Sequence, residues 1–248
     1  MKKKRLLKKE KLLLSKNKAP MVELFIWRAC LTMVITAIEE QKKKDRFNIF
    51  IDYEYSFSAC YDDIVEFNVK VGDILDEESK RELIYKCQYN KALNAAFNFL
   101  SNRPRTEYEV RKRIMKLDID DEIIEKVIQR LKELKLIDDK EYAKMWLEER
   151  SRLKPEGKNK LVLGLKNKGI KSQIIDECMS EWEYDDYSVA MELLQKKLAN
   201  KDVSLLYENK PLYNKEIQKL YRYLLYRGIG YDTANRALKA YLEGSEDI

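Results

Sequence analysis

The sequence predicts a mainly α-helical protein: tandem three-helix repeats forming an elongated, curved body, preceded by a small antiparallel β module. Three observations predict it. A 22-residue pattern occurs three times, its apolar residues recur at helical spacing, and between residues 33 and 71 the period changes to that of strands.

The pattern is clearest from Leu161 to Trp182, LVLGLKNKGIKSQIIDECMSEW. Moved on by 59 residues, it falls on Leu220 to Tyr241 without a gap. Leu161 then meets Leu220, Leu165 meets Leu224, and Lys168-Gly169-Ile170 meets Arg227-Gly228-Ile229. Moved back by 51, it gives a fainter copy, Val110 to Leu131, with Ile114, Ile119, Ile123, Ile124, Val127 and Leu131 in register. Each copy reads as helix, one-residue stop, helix. Leu161 and Leu165 share a face, and the second half has the i, i+1, i+4, i+8 spacing of a helix that buries one stripe. Gly169 and Gly228 stand where a helix ends with positive φ, a conformation costing a residue with a Cβ roughly 1–2 kcal/mol. The basic residue before each glycine suits the negative end of its helix. Asp118 holds that place in the first copy. Ser172 and Asp121 read as N-caps of the helix that follows, with Gly230 or Asp232 available in the third copy.

The repeats extend to units of three helices over residues 90–137, 138–184 and 185–248. In the first, Ala92, Leu93, Ala96, Phe97 and Leu100 keep a helical stripe that Ser101-Asn102-Arg103-Pro104 ends. The second opens at Leu136-Ile137-Asp138-Asp139, where an aspartate caps the helix carrying Tyr142, Ala143, Trp146 and Leu147, and its Pro155 falls 51 residues after Pro104. The third has a longer connection, Asn200 to Tyr213, which accounts for the larger offset. Residues 33–89 form the β-rich module. Val34 to Ile38 and Phe47 to Ile51 are strands, Asp52-Tyr53-Glu54 turns the chain, and Tyr55 to Ala59 is a third strand. Lys70-Val71-Gly72-Asp73 is a further turn before a short helix from Asp76 to Lys86.

The net charge of +6 over 248 residues is unevenly placed. Residues 1–32 carry ten Lys or Arg against two Glu, which leaves residues 33–248 at −2 and residues 33–90 at −5. The basic N-terminal stretch reads as an unstructured extension or the product of an upstream start site, with Met21 or Met33 as the true start. Its apolar patches are too short or too interrupted for a signal peptide, and no 18-residue apolar span exists for a membrane helix.

Catalytic and metal chemistry find no support. The chain has no histidine, no Cys-x-x-Cys pair, no phosphate-binding glycine loop, and no Ser or Cys with an activating partner. Cys30, Cys60, Cys87 and Cys178 read as isolated, reduced, mostly buried thiols of a cytoplasmic protein. The pairs Asp138-Asp139 and Asp185-Asp186 stand where helices begin, so capping explains them better than acid–base work.

Several of these stretches resemble the RecX family. Ala92 to Ser101 with Arg103, Arg105 and Glu109 is similar to the family's opening. Leu136-Ile137-Asp138-Asp139, Tyr142, Ala143, Trp146 and Arg150 resemble its central signature, and Leu165 to Ile170 and Leu224 to Ile229 its repeated element. The resemblance covers residues 90–243, and more loosely 34–89. It departs from the family at Asp118, where glycine is common, and in the enlarged third-unit insertion. It implies a non-enzymatic, cofactor-free, cytoplasmic monomer that engages the RecA filament on single-stranded DNA and inhibits or otherwise modulates RecA in recombination, DNA repair and the SOS response.

Local charge suggests the contact surface. Residues 150–171 hold Arg150, Arg152, Lys154, Lys158, Lys160, Lys166, Lys168 and Lys171 against Glu156 alone. Residues 103–116 add Arg103, Arg105, Arg111, Lys112, Arg113 and Lys116 against Glu107 and Glu109. With Arg227, these clusters are expected to line one concave face and touch acidic protein and phosphates together. A rival reading is a helical-repeat protein that binds DNA without RecA. Tyr221, Tyr223, Tyr226 and Tyr231 would then stack bases, although half-buried tyrosines with hydroxyls at the rim of a core stripe account for them more simply.

Overall fold

The computed structural model describes residues 32–42, 45–199 and 210–243. The basic N-terminal stretch, Cys30 and most of the Asn200 to Tyr213 connection lie outside them. The described residues fall into two compact units. One runs through Ala95 and includes Ile119–Ile124, and the other comprises Ala96–Asp118 and the chain from Glu125 onward.

The N-terminal unit is built on a four-stranded antiparallel sheet, β1 (Met33–Glu40), β2 (Arg46–Ile51), β3 (Glu54–Cys60) and β4 (Ile74–Leu75), in the order β3-β2-β1-β4. Ile35 pairs with Ile51, Ile49 with Phe57, and Met33 with Leu75. The turn between β2 and β3 falls at Asp52 and Tyr53, both with positive φ, as a tight hairpin requires, and the Asp52 carboxylate accepts the Val34 N–H at 2.9 Å. Alternation puts Ile49 and Ile51 inward, where they meet Ile35, Phe57, Ala59, Val69, Leu83 and Cys87. Burial pushes the Cys87 thiol up to about 12, well out of reactive range.

A short helix, α1 (Tyr61–Glu66), follows β3. Its buried Asp63 accepts the Cys60 N–H and the Asn90 side-chain amide. The next helix differs from the expectation of a short segment ending at Lys86: α2 runs unbroken from Glu77 to Leu100. No glycine or proline interrupts residues 77–100, so a good helix former simply continues into the first repeat. The strand β4 just before it also escaped the sequence reading, being two residues long.

The remaining helices come in sets. After α2 stand α3 (Glu107–Ile114) and α4 (Asp121–Glu133). Then come α5 (Asp139–Leu153), α6 (Lys158–Asn167) and α7 (Ser172–Glu181), and last α8 (Asp186–Leu198), α9 (Lys210–Tyr226) and α10 (Tyr231–Glu243). The stop between second and third helix has the same left-handed backbone each time, with φ of 53° at Asp118, 78° at Gly169 and 91° at Gly228. In the first copy a single 3-10 turn, Met115–Leu117, leads into it. Each second set member buries the residues that the repeat aligns. Leu161, Leu165, Ile170, Ile175 and Cys178 meet Tyr142, Ala143 and Leu147 in one core. Leu220, Leu224, Ile229, Ala234 and Ala237 meet Ala190, Leu193, Leu194 and Leu198 in the next. In the first copy Val110, Ile114, Ile119, Ile123, Ile124, Val127 and Leu131 are likewise buried.

The caps shift by one residue from expectation. Ser172 and Asp121 are the first residues inside α7 and α4, and Lys171 occupies the cap position of α7 with no side-chain bond. Asp120, before α4, accepts from the Ile123 and Ile124 N–H groups through its backbone carbonyl, and Gly230 does the same for Ala234 before α10.

Candidate functional site

The expected basic strip lies on the second helices α3 and α6, on the last turn of α5, on the loops that lead from first to second helix, and just past the ends of α6 and α9, so its geometry begins where second helices start and stop. Thr106 caps α3, accepting the Glu109 N–H while Glu109 reaches back to the Thr106 N–H. The Thr106 hydroxyl, fully buried, also donates to the Lys168 carbonyl at the end of α6. One repeat on, the Gly157 N–H at the start of α6 donates to the Arg227 carbonyl at the end of α9, at 2.8 Å in both cases. The positive end of each second helix therefore meets the negative end of the next.

The paired aspartates fix the same junctions. Asp138 and Asp185 cap α5 and α8, each accepting two backbone N–H groups of its own helix. Their neighbours reach back one set. Asp139 accepts the Glu107 N–H at the start of α3, and Asp186 accepts the Lys158 N–H at the start of α6, again at 2.8 Å. Burial holds both of these carboxyls above the usual range.

The other signature residues are packing elements. Tyr142 and Ala143 are buried, Trp146 packs on the same core, and Ile170 and Ile229 are 4% and 1% exposed. A Cβ on Gly169 would stand 2.3 Å from the Tyr108 Cβ, and one on Gly228 would stand 2.4 Å from the Lys160 Cβ. Both glycines thus serve a left-handed stop and the close approach of the preceding helix.

The cations then divide. Arg103 and Lys168 converge on Glu109 at 3.3 and 3.0 Å. Arg111 binds Glu107 at 2.9 Å and also Glu125, while Lys132 reaches Glu107 at 2.7 Å. Arg150, Lys154 and Lys160 surround Glu156, which is 1% exposed, at 2.9, 3.8 and 3.5 Å. Burial opposes ionisation of Glu107, Glu109 and Glu156. Their partners outweigh it and hold all three below the usual carboxylate range: Lys132 and Arg111 for Glu107, Lys168 and Arg103 for Glu109, and Arg150, Lys160 and Lys154 for Glu156. The Arg105 guanidinium stacks on the Phe99 ring, 4.1 Å from its centre, and Arg227 donates to the Pro155 carbonyl. Eight of the twelve expected strip cations are therefore engaged within the chain. Arg113, Arg152 and Lys166 are exposed, Lys158 is half-buried, and the side chains of these four have no hydrogen-bond or ion-pair partner among the described residues.

Sequence reasoning missed the acceptors: Thr106, Glu107, Glu109, Glu156 and the second aspartate of each pair. Two signals for them were readable. Thr106-x-x-Glu109 has the spacing of a capping box, and Glu156 is the lone anion among eight cations. The tyrosines also divide. Tyr221 and Tyr223 pack against the third core as half-buried stripe residues, with the Tyr221 hydroxyl enclosed rather than at the rim. Tyr226 and Tyr231 are 76% and 64% exposed.

Comparison with known proteins gives this arrangement a relationship. Residues 33–76 match the model of the regulatory protein RecX N-terminal domain, residues 92–131 that of the RecX first three-helix domain, and residues 138–179 that of the second. The regulatory protein RecX of Bacillus velezensis is 36% identical over 207 residues, covering 83% of this chain and 76% of that protein. That of Clostridium acetobutylicum is 34% identical, covering 83% and 94%. A crystal structure of a regulatory protein RecX superposes with a TM-score of 0.55 at 28% identity, covering 83% of this chain and 98% of that one. The crystal structure of RecX from Lactobacillus salivarius does so with a TM-score of 0.53 at 30% identity, covering 63% and 97%. Three consecutive domain matches, relatives spanning most of both chains and two superposable structures agree: the chain belongs to the RecX family of regulatory proteins.

Proposed function

We propose that this protein binds the RecA filament on single-stranded DNA and inhibits RecA activity in recombination and DNA repair, acting without catalysis as a cytoplasmic monomer. Family membership supports the regulatory role. The observation that carries the contact surface is the division of the cations. Arg113, Arg152, Lys158 and Lys166 keep their charge available to a partner, whereas the other eight are engaged within the chain, five inside their own helix set and Lys160, Lys168 and Arg227 between sets. The reading also assigns residues 33–89 to a β-rich module and residues 90–137, 138–184 and 185–248 to three stacked units. The helix-end junctions at Lys168 and Arg227 support that division.

Regulation needs no chemistry here. A binder with higher affinity for one filament state shifts the population toward it by its differential affinity alone. The test is co-sedimentation with RecA, with and without single-stranded DNA and nucleotide, together with RecA-dependent ATP hydrolysis. Binding to the assembled filament with reduced hydrolysis is expected. Absence of binding to RecA in every state would overturn the reading.

A further inference from the structure

Two exposed tyrosines of the third helix set are not required by the repeat. Tyr226 ends α9 and Tyr231 opens α10, and the equivalent positions in the second set hold Asn167 and Ser172, in the first Lys116 and Asp121. Neither ring belongs to the third core, whereas Tyr221 and Tyr223 do. The Lys160 ammonium stands 4.4 Å from the centre of the Tyr226 ring while it donates a hydrogen bond to the Tyr226 carbonyl and pairs with the Glu156 carboxylate. The Tyr231 ring meets Tyr221 edge-on at 5.3 Å.

The loop between them is anchored. The Arg227 carbonyl accepts from the Gly157 N–H, the Gly228 carbonyl accepts from the Asn159 N–H, and the Arg227 guanidinium donates to Pro155. In the same loop a Cβ on Gly230 would meet nothing within 4 Å, so the backbone lies open to an approaching group. Arg222, one turn before Tyr226 on α9, is exposed, and Lys158 has no side-chain partner among the described residues. The nearby Glu156 is buried and already surrounded by three cations, which leaves Asp232 as the exposed carboxylate beside Tyr231.

We propose that Tyr226 and Tyr231 form a base-stacking contact for single-stranded nucleic acid, with Lys158 and Arg222 meeting the phosphates on either side. The proposal deepens the filament reading and rests on it, since it makes the strand inside the filament a direct ligand. Stacking suits this place because rings with a polarised face, held on a fixed loop, bind any base without ordering a flexible arm.

The experiment measures fluorescence anisotropy of a labelled 20-mer oligo-dT with the full chain, at several salt concentrations and without RecA. Tyr226→Ala and Tyr231→Ala are each expected to weaken binding by about 5- to 150-fold without changing the salt slope, because a lost stack releases no counterions. Tyr226→Phe keeps the ring and should bind like the parent. Parent-like binding by both alanine variants, or no binding by the parent itself, would overturn the proposal. The filament reading is scored separately, by co-sedimentation of the same variants with RecA. It fails only if the parent chain does not sediment with the filament.

Discussion

The Asp186 carboxylate, in the first turn of α8, accepts the backbone N–H of Lys158 in the helix set before it at 2.8 Å, and Asp139 does the same for Glu107 one repeat earlier. A side chain from one set thus supplies part of the N-terminal cap of the previous one. Substituting a capping aspartate by alanine commonly costs about 1 kcal/mol, with up to about 2 where the donor is then left buried. Asp139→Ala and Asp186→Ala should each lower the unfolding free energy by that amount in urea titrations, without loss of helical signal before the transition.

Glu156 gives a larger effect. It is nearly fully buried, but its partners Arg150, Lys154 and Lys160 keep 41%, 51% and 27% of their side-chain surface, so water screens part of the loss. Glu156→Leu removes the only anion from a ring of three cations and should cost about 1–3 kcal/mol by thermal or urea unfolding. Glu156→Gln, which keeps the shape and two hydrogen-bonding atoms, should cost less.

Stability should also depend on pH, with a sign set by these carboxyls. Glu107, Glu109 and Glu156 titrate lower in the folded chain than in the unfolded one. Their contribution is complete above the ordinary carboxylate range and is lost as pH falls through their folded values. Asp139 and Asp186 are raised by burial and act oppositely, becoming less costly to bury as they protonate. The expected outcome is a urea midpoint that falls between about pH 5 and pH 3. The Glu109→Gln variant should fall less steeply over the same interval.

The glycine stops make a controlled comparison. Gly169→Ala and Gly228→Ala force a side chain into left-handed backbone, about 1–2 kcal/mol, and into atoms of Tyr108 or Lys160 closer than 2.5 Å. Gly230→Ala meets open space and has no positive φ. The first two variants should unfold earlier on heating, and the third should melt like the parent.

Much of this was legible in the sequence. The three copies, their left-handed stops and the strands around Val34, Ile49 and Phe57 follow from apolar period and turn chemistry, which are local. Asp118 took up the left-handed stop because a short carboxylate side chain tolerates it. What local pattern could not give is who meets whom. Lys168, Lys160 and Arg227 look like free charge in a sequence, yet each bonds to a residue about 59 to 72 positions away, some reachable only once helices stack end to end. The same limitation hid the back-reaching role of Asp139 and Asp186, whose neighbours alone make the ordinary caps. It also hid the unbroken run of α2, where the break that ended a helix at Lys86 in the sequence reading has no glycine or proline to enforce it.

The most direct test of the divided cations compares two sets of charge reversals in filament co-sedimentation. Arg113→Glu, Arg152→Glu, Lys158→Glu and Lys166→Glu, made together, should abolish binding to RecA on single-stranded DNA while leaving the melting temperature within a few degrees of the parent. Arg150→Glu with Lys168→Glu should instead lower the melting temperature, since the first breaks the ion pair to buried Glu156 and the second the pair to Glu109 in the set before it. Undiminished filament binding by the first set would contradict the account.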